Sequence, residues 1–319
     1  MTINPNISGF QGISPLRQLV LSVVIILLAG TILFSIFLLA GNLIFTGDLT
    51  LLADPDTANL LNRPGFIMYT LVAQDISFFI IPALIILIIL DPQNKRGILN
   101  MNTLRLNDVL LVTILAFCTF PVTGLAGQLN SGMALPEWLS GVEQWMRDKE
   151  DYAAQLLNAI MTPLTFWGMW LNLIIIAALP AVSEELLFRG VLQRNFHNLF
   201  RSGHLSVWVT SLLFSAIHFQ FYGFLPRLIL GLIFGYLFLW SRNIWLPVIA
   251  HFVNNAVPTV GAYVKGWETI NEPLLANTWK QIAGMIVPLV IGILILGYFR
   301  KRSNDYQLSD PDQPESHQL

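Results

Sequence analysis

Long apolar stretches alternate along the chain with short polar connections, and each stretch is close to the length of a helix that crosses a bilayer. Crossing the hydrocarbon core takes roughly 20 apolar residues. On that measure the pattern predicts eight spans, at about 19–44, 66–90, 108–127, 166–189, 205–221, 226–241, 244–264 and 280–299. The expected fold class is all-α, a polytopic membrane bundle of about eight transmembrane helices with a buried polar chamber. The first stretch is too long for the apolar core of a cleavable signal, and no small-residue cleavage site follows it, so it is expected to be a retained helix.

The polar connections differ in kind. The loop from Gly47 to Pro64 is acidic and Leu-rich. Between Leu135 and Met161, Leu135, Leu139, Val142, Trp145, Met146, Leu156 and Leu157 recur roughly on one helical face, which predicts an interfacial helix capping the bundle on its outer surface. Residues 303–319 hold almost no apolar side chains and are expected to form a disordered tail. No internal repeat or phosphate loop is found. The expected organisation is a single transmembrane domain over 1–302 with a motif-bearing core at about 166–260.

Composition settles the solvent. The chain has 319 residues, is 55% hydrophobic and 11% charged, and has a mean hydropathy of +0.64, far more apolar than a soluble domain. Membrane lipid is therefore an expected partner. A net charge of −2 with no basic patch leaves no role for nucleic acid. The lone cysteine, Cys118, excludes an intrachain disulfide and a cysteine-rich zinc site. With the N-terminus inside, eleven Lys and Arg fall on the inner side (Arg17, Lys95, Arg96, Arg105, Arg189, Arg194, Arg201, Arg242, Arg300, Lys301 and Arg302). Five fall outside (Arg63, Arg147, Lys149, Lys265 and Lys280), and Arg227 sits near a span end. This bias predicts both termini in the cytoplasm. The expected location is the bacterial cytoplasmic membrane.

Against that background a few ionisable residues stand out, because charge at membrane depth is costly and marks functional sites. Glu184 and Glu185 are adjacent near the end of the fourth span. Glu185 and Arg189 are four apart, acid first, so they pair on one helical face, while Glu184 points about 100° away and is left free. His218 follows Phe214 by four residues, and His251 precedes Asn255 by four. Helix rise places Glu184 roughly 9 Å from Gly190, His251 roughly 11 Å from Ile244 and His218 roughly 20 Å from Leu205, so the three can converge in the cytoplasmic half. Pro180 and Pro247 can bend two of the helices that carry them. Gln74 and Asp75 form another polar pair, read as structural or helix-pairing.

Two chemistries use this set. A glutamate with a histidine can deprotonate water while a second histidine and an asparagine stabilise an oxyanion, which is the equipment for amide hydrolysis. Alternatively Glu184, His218 and His251 could hold a zinc ion with an open water position. The sequence shows no second acid beside either histidine to orient it as a metal ligand. Ser183 and Ser215 are expected to bond backbone carbonyls of their own helices rather than act as nucleophiles. A membrane scaffold or immunity protein, or a proton-coupled transporter, would also account for buried polar groups, although no Gly-broken repeat favours a transporter.

Glu184-Glu185-x-x-x-Arg189, Phe214-x-x-x-His218 and His251-x-x-x-Asn255, in that order on successive spans, resemble the CPBP family of intramembrane proteases. This is the CAAX protease and bacteriocin-processing, or Abi, family, which includes the eukaryotic type II CAAX prenyl endopeptidases. The resemblance implies an eight-helix bundle with a chamber opening toward the cytoplasm and laterally to lipid, and a membrane-associated peptide or protein as substrate. It implies Glu184 as the water-activating base helped by His218, with His251 and Asn255 at the oxyanion and Glu185 and Arg189 in support. A zinc ion held by the same residues is the alternative description of such sites.

Overall fold

The computed structural model describes residues 13–45, 47, 60–90, 104–161, 165–266 and 278–308. Among these residues the chain is helical with no strand. Helix α1 covers Pro15–Phe45. Helix α2 begins at Pro64 and runs to Leu90 through π-helical stretches at Asp75–Ile80 and Ile86–Leu90. Helix α3 covers Leu106–Ser131, and α4, the expected surface helix, covers Ser140–Met161. The long helix α5 covers Phe166–Phe200. Helices α6 (Gly203–Ala216), α7 (Phe224–Ser241), α8 (Trp245–Lys265) and α9 (Thr278–Leu308) complete the bundle.

Each predicted span has a helix at its place, and the count of eight is not confirmed. Six helices, α1, α2, α3, α5, α7 and α9, are long and apolar enough to cross a membrane. Helix α6 has only 14 residues, and it stops at Ala216 because the chain turns through Phe219, whose φ of 51° is left-handed. Helix α8 has 21 residues but carries His251, Asn254 and Asn255. Helix α5 does not end near Gly190 as expected; it continues to Phe200, where Arg201 caps it in a left-handed conformation. Arg189 is therefore a buried bundle residue and not a loop charge of the inner face. Helix α9 runs past the expected boundary at Arg302 to Leu308, and residues 309–319 lie outside the described ones, as does most of the acidic loop.

Burial follows lipid logic. The buried positions of α1 are Gln18, Ser22, Gly30, Gly41 and Asn42, whereas Leu27, Leu28 and Ile32 are exposed. Without a hydrophobic force between helices in lipid, close packing and hydrogen bonds hold the bundle, so small and polar residues face inward. The ring of Phe78 packs over Gly30, and Tyr69 donates to the Phe37 carbonyl at 2.9 Å. Asn195 donates to Ser22 at 2.9 Å, tying α5 to α1. Helices α6 and α7 meet at Gly231, where a β-carbon would lie 3.2 Å from the Ser211 backbone. At the opposite flank Arg302 grips both oxygens of Asp108 at 2.8 Å, joining α9 to α3.

Candidate active site

The site grows from the middle of α5. At 1.5 Å per residue, Glu184 lies roughly 24 Å from the Phe200 end and 27 Å from the Phe166 end. Helix α5 is π-helical over Leu173–Ala178 and again over Phe188–Leu192, so Glu184 and Glu185 sit on the α-helical turn between two wide ones. Such wide turns shift the register of side chains and gather at functional sites. Pro180 has no N–H to return to Ile176. Asn255 Nδ2 donates to that carbonyl at 3.3 Å, which docks α8 on α5.

Glu185 and Arg189 form the ion pair at the expected spacing. Both are fully buried, with Arg189 Nη1 3.0 Å from Glu185 Oε1 and Nη2 donating to the Gly231 carbonyl at 3.0 Å. The guanidinium also lies 4.9 Å from the Phe214 ring centroid. The same Oε1 of Glu185 accepts from His251 Nδ1 at 3.0 Å. The absence of an acid beside the histidines, read from the sequence, is thus corrected: Glu185 is that acid, 66 residues away in the chain. Phe234 stacks on the His251 ring at 5.1 Å and holds its plane.

With Nδ1 committed to Glu185, His251 Nε2 is turned toward Glu184, 3.9 Å from Oε2. That oxygen is enclosed and has no hydrogen-bond partner. His218 sits just beyond the end of α6, and its Nδ1 donates to the Phe214 carbonyl at 2.8 Å, which leaves Nε2 as an acceptor. Glu184 and His218 line one cavity of about 830 Å³. The turn that carries His218 is fastened from two sides. Asn130 of α3 donates to the Phe221 carbonyl at 2.9 Å, and Glu150 of α4 accepts from the Tyr222 N–H at 3.3 Å.

Several expectations change. Ser183 bonds across the bundle to Asp75 Oδ1 at 2.9 Å, and only weakly to its own helix at 3.4 Å. Ser215 donates to the Phe224 carbonyl on the next helix. Asp75 is buried at the cavity wall, but its neighbour Gln74 is exposed, so the two are not a buried pair. An acid in an apolar span was the available signal for Asp75. Its partner was not legible, because 108 residues separate it from Ser183.

Among the described residues no three His, Cys, Asp or Glu side chains converge as a metal-ligand set. Glu184, His218 and His251 as arranged do not fit a zinc ion, although the carboxylate behind His251 is the kind of support a ligating histidine receives. The cavity extends from Glu184 along α2 toward Arg63 and is walled by Tyr152 and Leu156 of α4. It therefore reaches the end of the bundle opposite the termini.

The fold and site define a class: a polytopic α-helical integral membrane protein with a buried glutamate and histidine centre on a lined cavity. Residues 166–257 match the family model described as type II CAAX prenyl endopeptidase Rce1-like. That match lies on the motif-bearing core, so the resemblance to the CAAX protease family rests on under a third of the chain. The chain is 33% identical over 90 residues to the uncharacterized protein YpbD of Bacillus subtilis (strain 168). That alignment covers 27% of this chain and 43% of the relative. The chain thus spans less than half the length of the curated relative it matches. No solved structure matches it.

Proposed function

We propose that the chain is an intramembrane endopeptidase of glutamate type, hydrolysing a peptide bond of a membrane-associated peptide or protein with water activated by Glu184 and His218. The observation that carries this reading is the Glu184 carboxylate: it is enclosed, has one oxygen without a partner, and lines the same cavity as His218. A carboxylate held free in a bundle costs stability and so marks a functional residue, and its neighbour Glu185 already does the structural pairing.

The residues divide the work. A water between Glu184 and His218 gives one proton to the Glu184 carboxylate while His218 Nε2 accepts its second hydrogen. The water oxygen bonds to the peptide carbonyl carbon, and the carbonyl oxygen becomes an oxyanion. Asn255 Nδ2 has one N–H on Ile176 and a second to offer. Glu185 holds His251 at Nδ1, which sets Nε2 beside Glu184 as the second group facing the oxyanion. Collapse breaks the C–N bond, and the proton on Glu184 passes to the leaving amine.

The inner end of the bundle carries Arg17, Arg105, Arg201, Arg242 and Lys301, while α4 at the other end is rich in Glu and Asp. This bias supports the reading that both termini lie in the cytoplasm, with the cavity extending toward the outer face. A non-catalytic scaffold would keep the same fold without turnover. The deciding experiment compares peptide termini in membranes of cells bearing the wild-type or the Glu184→Gln chain. Termini that vanish with Glu184→Gln support hydrolysis, and identical sets of termini sink it.

A further inference from the structure

The active-site cavity has a second charged end. Asp75, Glu184 and His218 cluster at one extremity, while at the other the lining includes Arg63, the only Lys or Arg among its lining residues. Arg63 immediately precedes α2, and its Nη1 is enclosed with no hydrogen-bond partner. No carboxylate of the described residues forms a salt bridge with it. Arg63 is half-buried, but its Nη1 is enclosed beside the cavity with no anion among the described residues against it, and a buried donor left unpaired is costly, which marks it as an unfilled binding group. From the geometry we infer that Arg63 is the anchoring subsite for a carboxylate of the bound peptide, set at a fixed distance from the scissile bond.

The distance follows from α2. Arg63, the residue before α2, and Asp75 within α2 are twelve residues apart, roughly 18 Å at 1.5 Å per residue, and Asp75 is hydrogen-bonded to Ser183, the neighbour of Glu184. An extended peptide advances 3.3–3.6 Å per residue, so roughly five residues bridge the two ends. The cavity volume lies within the range of sites that enclose ligands of that scale. Phe34, Phe66 and Leu156 supply apolar walls between the charged ends, which suits a peptide with hydrophobic side chains and one terminal anion. The fork of an arginine matches a carboxylate with two parallel hydrogen bonds. A lipid phosphate shares the attraction to arginine, but its two acyl chains belong outside the bundle, whereas this cavity leads to Glu184. The carboxylate has two possible sources in a peptide, its C-terminus or an acidic side chain, and both present the same group to Arg63.

This inference rests on the hydrolase reading, and its test is arranged so that the two fail separately. Full-length Glu184→Gln protein in nanodiscs, unable to turn over, is offered equimolar libraries of apolar octapeptides in three forms: free acid, C-terminally amidated, and amidated with a single Asp at varied positions. Retained peptides are read by mass spectrometry. The free-acid or the Asp-bearing library is expected to be retained at least about tenfold over the plain amide, as loss of a charge-assisted hydrogen bond implies. Which of the two is retained identifies the source. Adding Arg63→Gln should erase the preference, and adding Arg63→Lys should keep part of it, which covers the case of a poorly folding glutamine variant. Equal retention of all three libraries, no retention of any library, or a preference that survives Arg63→Gln overturns the subsite. So does a change confined to co-purified anionic lipid phosphorus. Carboxylate-dependent retention with no cleavage by the wild-type chain keeps the subsite and fells the hydrolase; cleavage indifferent to the carboxylate does the reverse.

Discussion

Helices α1 and α5 cross the same bundle under opposite rules. The most apolar window of α1 has a mean hydropathy of 2.9 and only 6% of its positions buried; that of α5 has a mean hydropathy of 1.8 and 56% buried. In a soluble protein the more apolar helix would be the inner one. Here lipid is the solvent for the apolar side chains of α1, and the bundle interior is where the polar groups of α5 find partners. The helix that carries Glu184, Glu185, Arg189, Gln193 and Asn195 is central because those residues could not face hydrocarbon.

Glu184→Gln should cut peptide cleavage by about a thousandfold or more with the melting temperature unchanged, since a general base and its charge are lost together. Cleavage assays on purified, folded protein check this, and activity near wild type would remove Glu184 from its role. Arg189→Ala leaves Glu185 buried and unpaired, at a cost of about 3–5 kcal/mol. Folded yield and thermal stability in detergent should both fall, while Arg17→Ala on α1 should leave them unchanged.

Asn255→Ala removes one oxyanion donor and should lower turnover by about 10²–10³ with residual activity still measurable. Full activity in that variant would reassign the oxyanion site. A matched pair of leucines then tests the packing argument directly. Leu187→Ala on α5, buried at 4% exposure, should cost about 2 kcal/mol, whereas Leu27→Ala on α1, at 58% exposure to lipid, should cost close to nothing. Equal losses would mean that α1 is packed against something more specific than lipid.

The smallest effect concerns α4, outside the spans. Burial raises the Glu150 carboxyl above its ordinary value, although Arg227 and the Tyr222 N–H pull the other way. The folded state therefore binds this proton more tightly than the unfolded one. Stability is helped below the ordinary carboxylate range and declines as pH rises through the raised value. Hydrogen exchange of the His218 turn should quicken over that window, and Glu150→Gln should flatten the dependence.

The apolar spacing by itself determined that the chain is a helical membrane protein, and its lengths placed every described span on a helix. The i, i+4 rule likewise determined that Glu185 pairs with Arg189 and that Glu184 is left over, because helix geometry is local. Motif order carried the resemblance to a family, which the match over residues 166–257 bears out for that core. Tertiary structure alone decided the rest: that Glu185 also orients His251, that Ser183 reaches Asp75, that Asn255 takes the carbonyl opposite Pro180, and that Arg63 shares a cavity with Glu184. It also decided that α5 runs on to Phe200 and that α6 stops short. The physical reason lies in the wide π turns and the rotation of each helix about its axis. A shift of one residue turns a side chain by about 100°, and that rotation is settled by the packing of neighbouring helices rather than by local sequence.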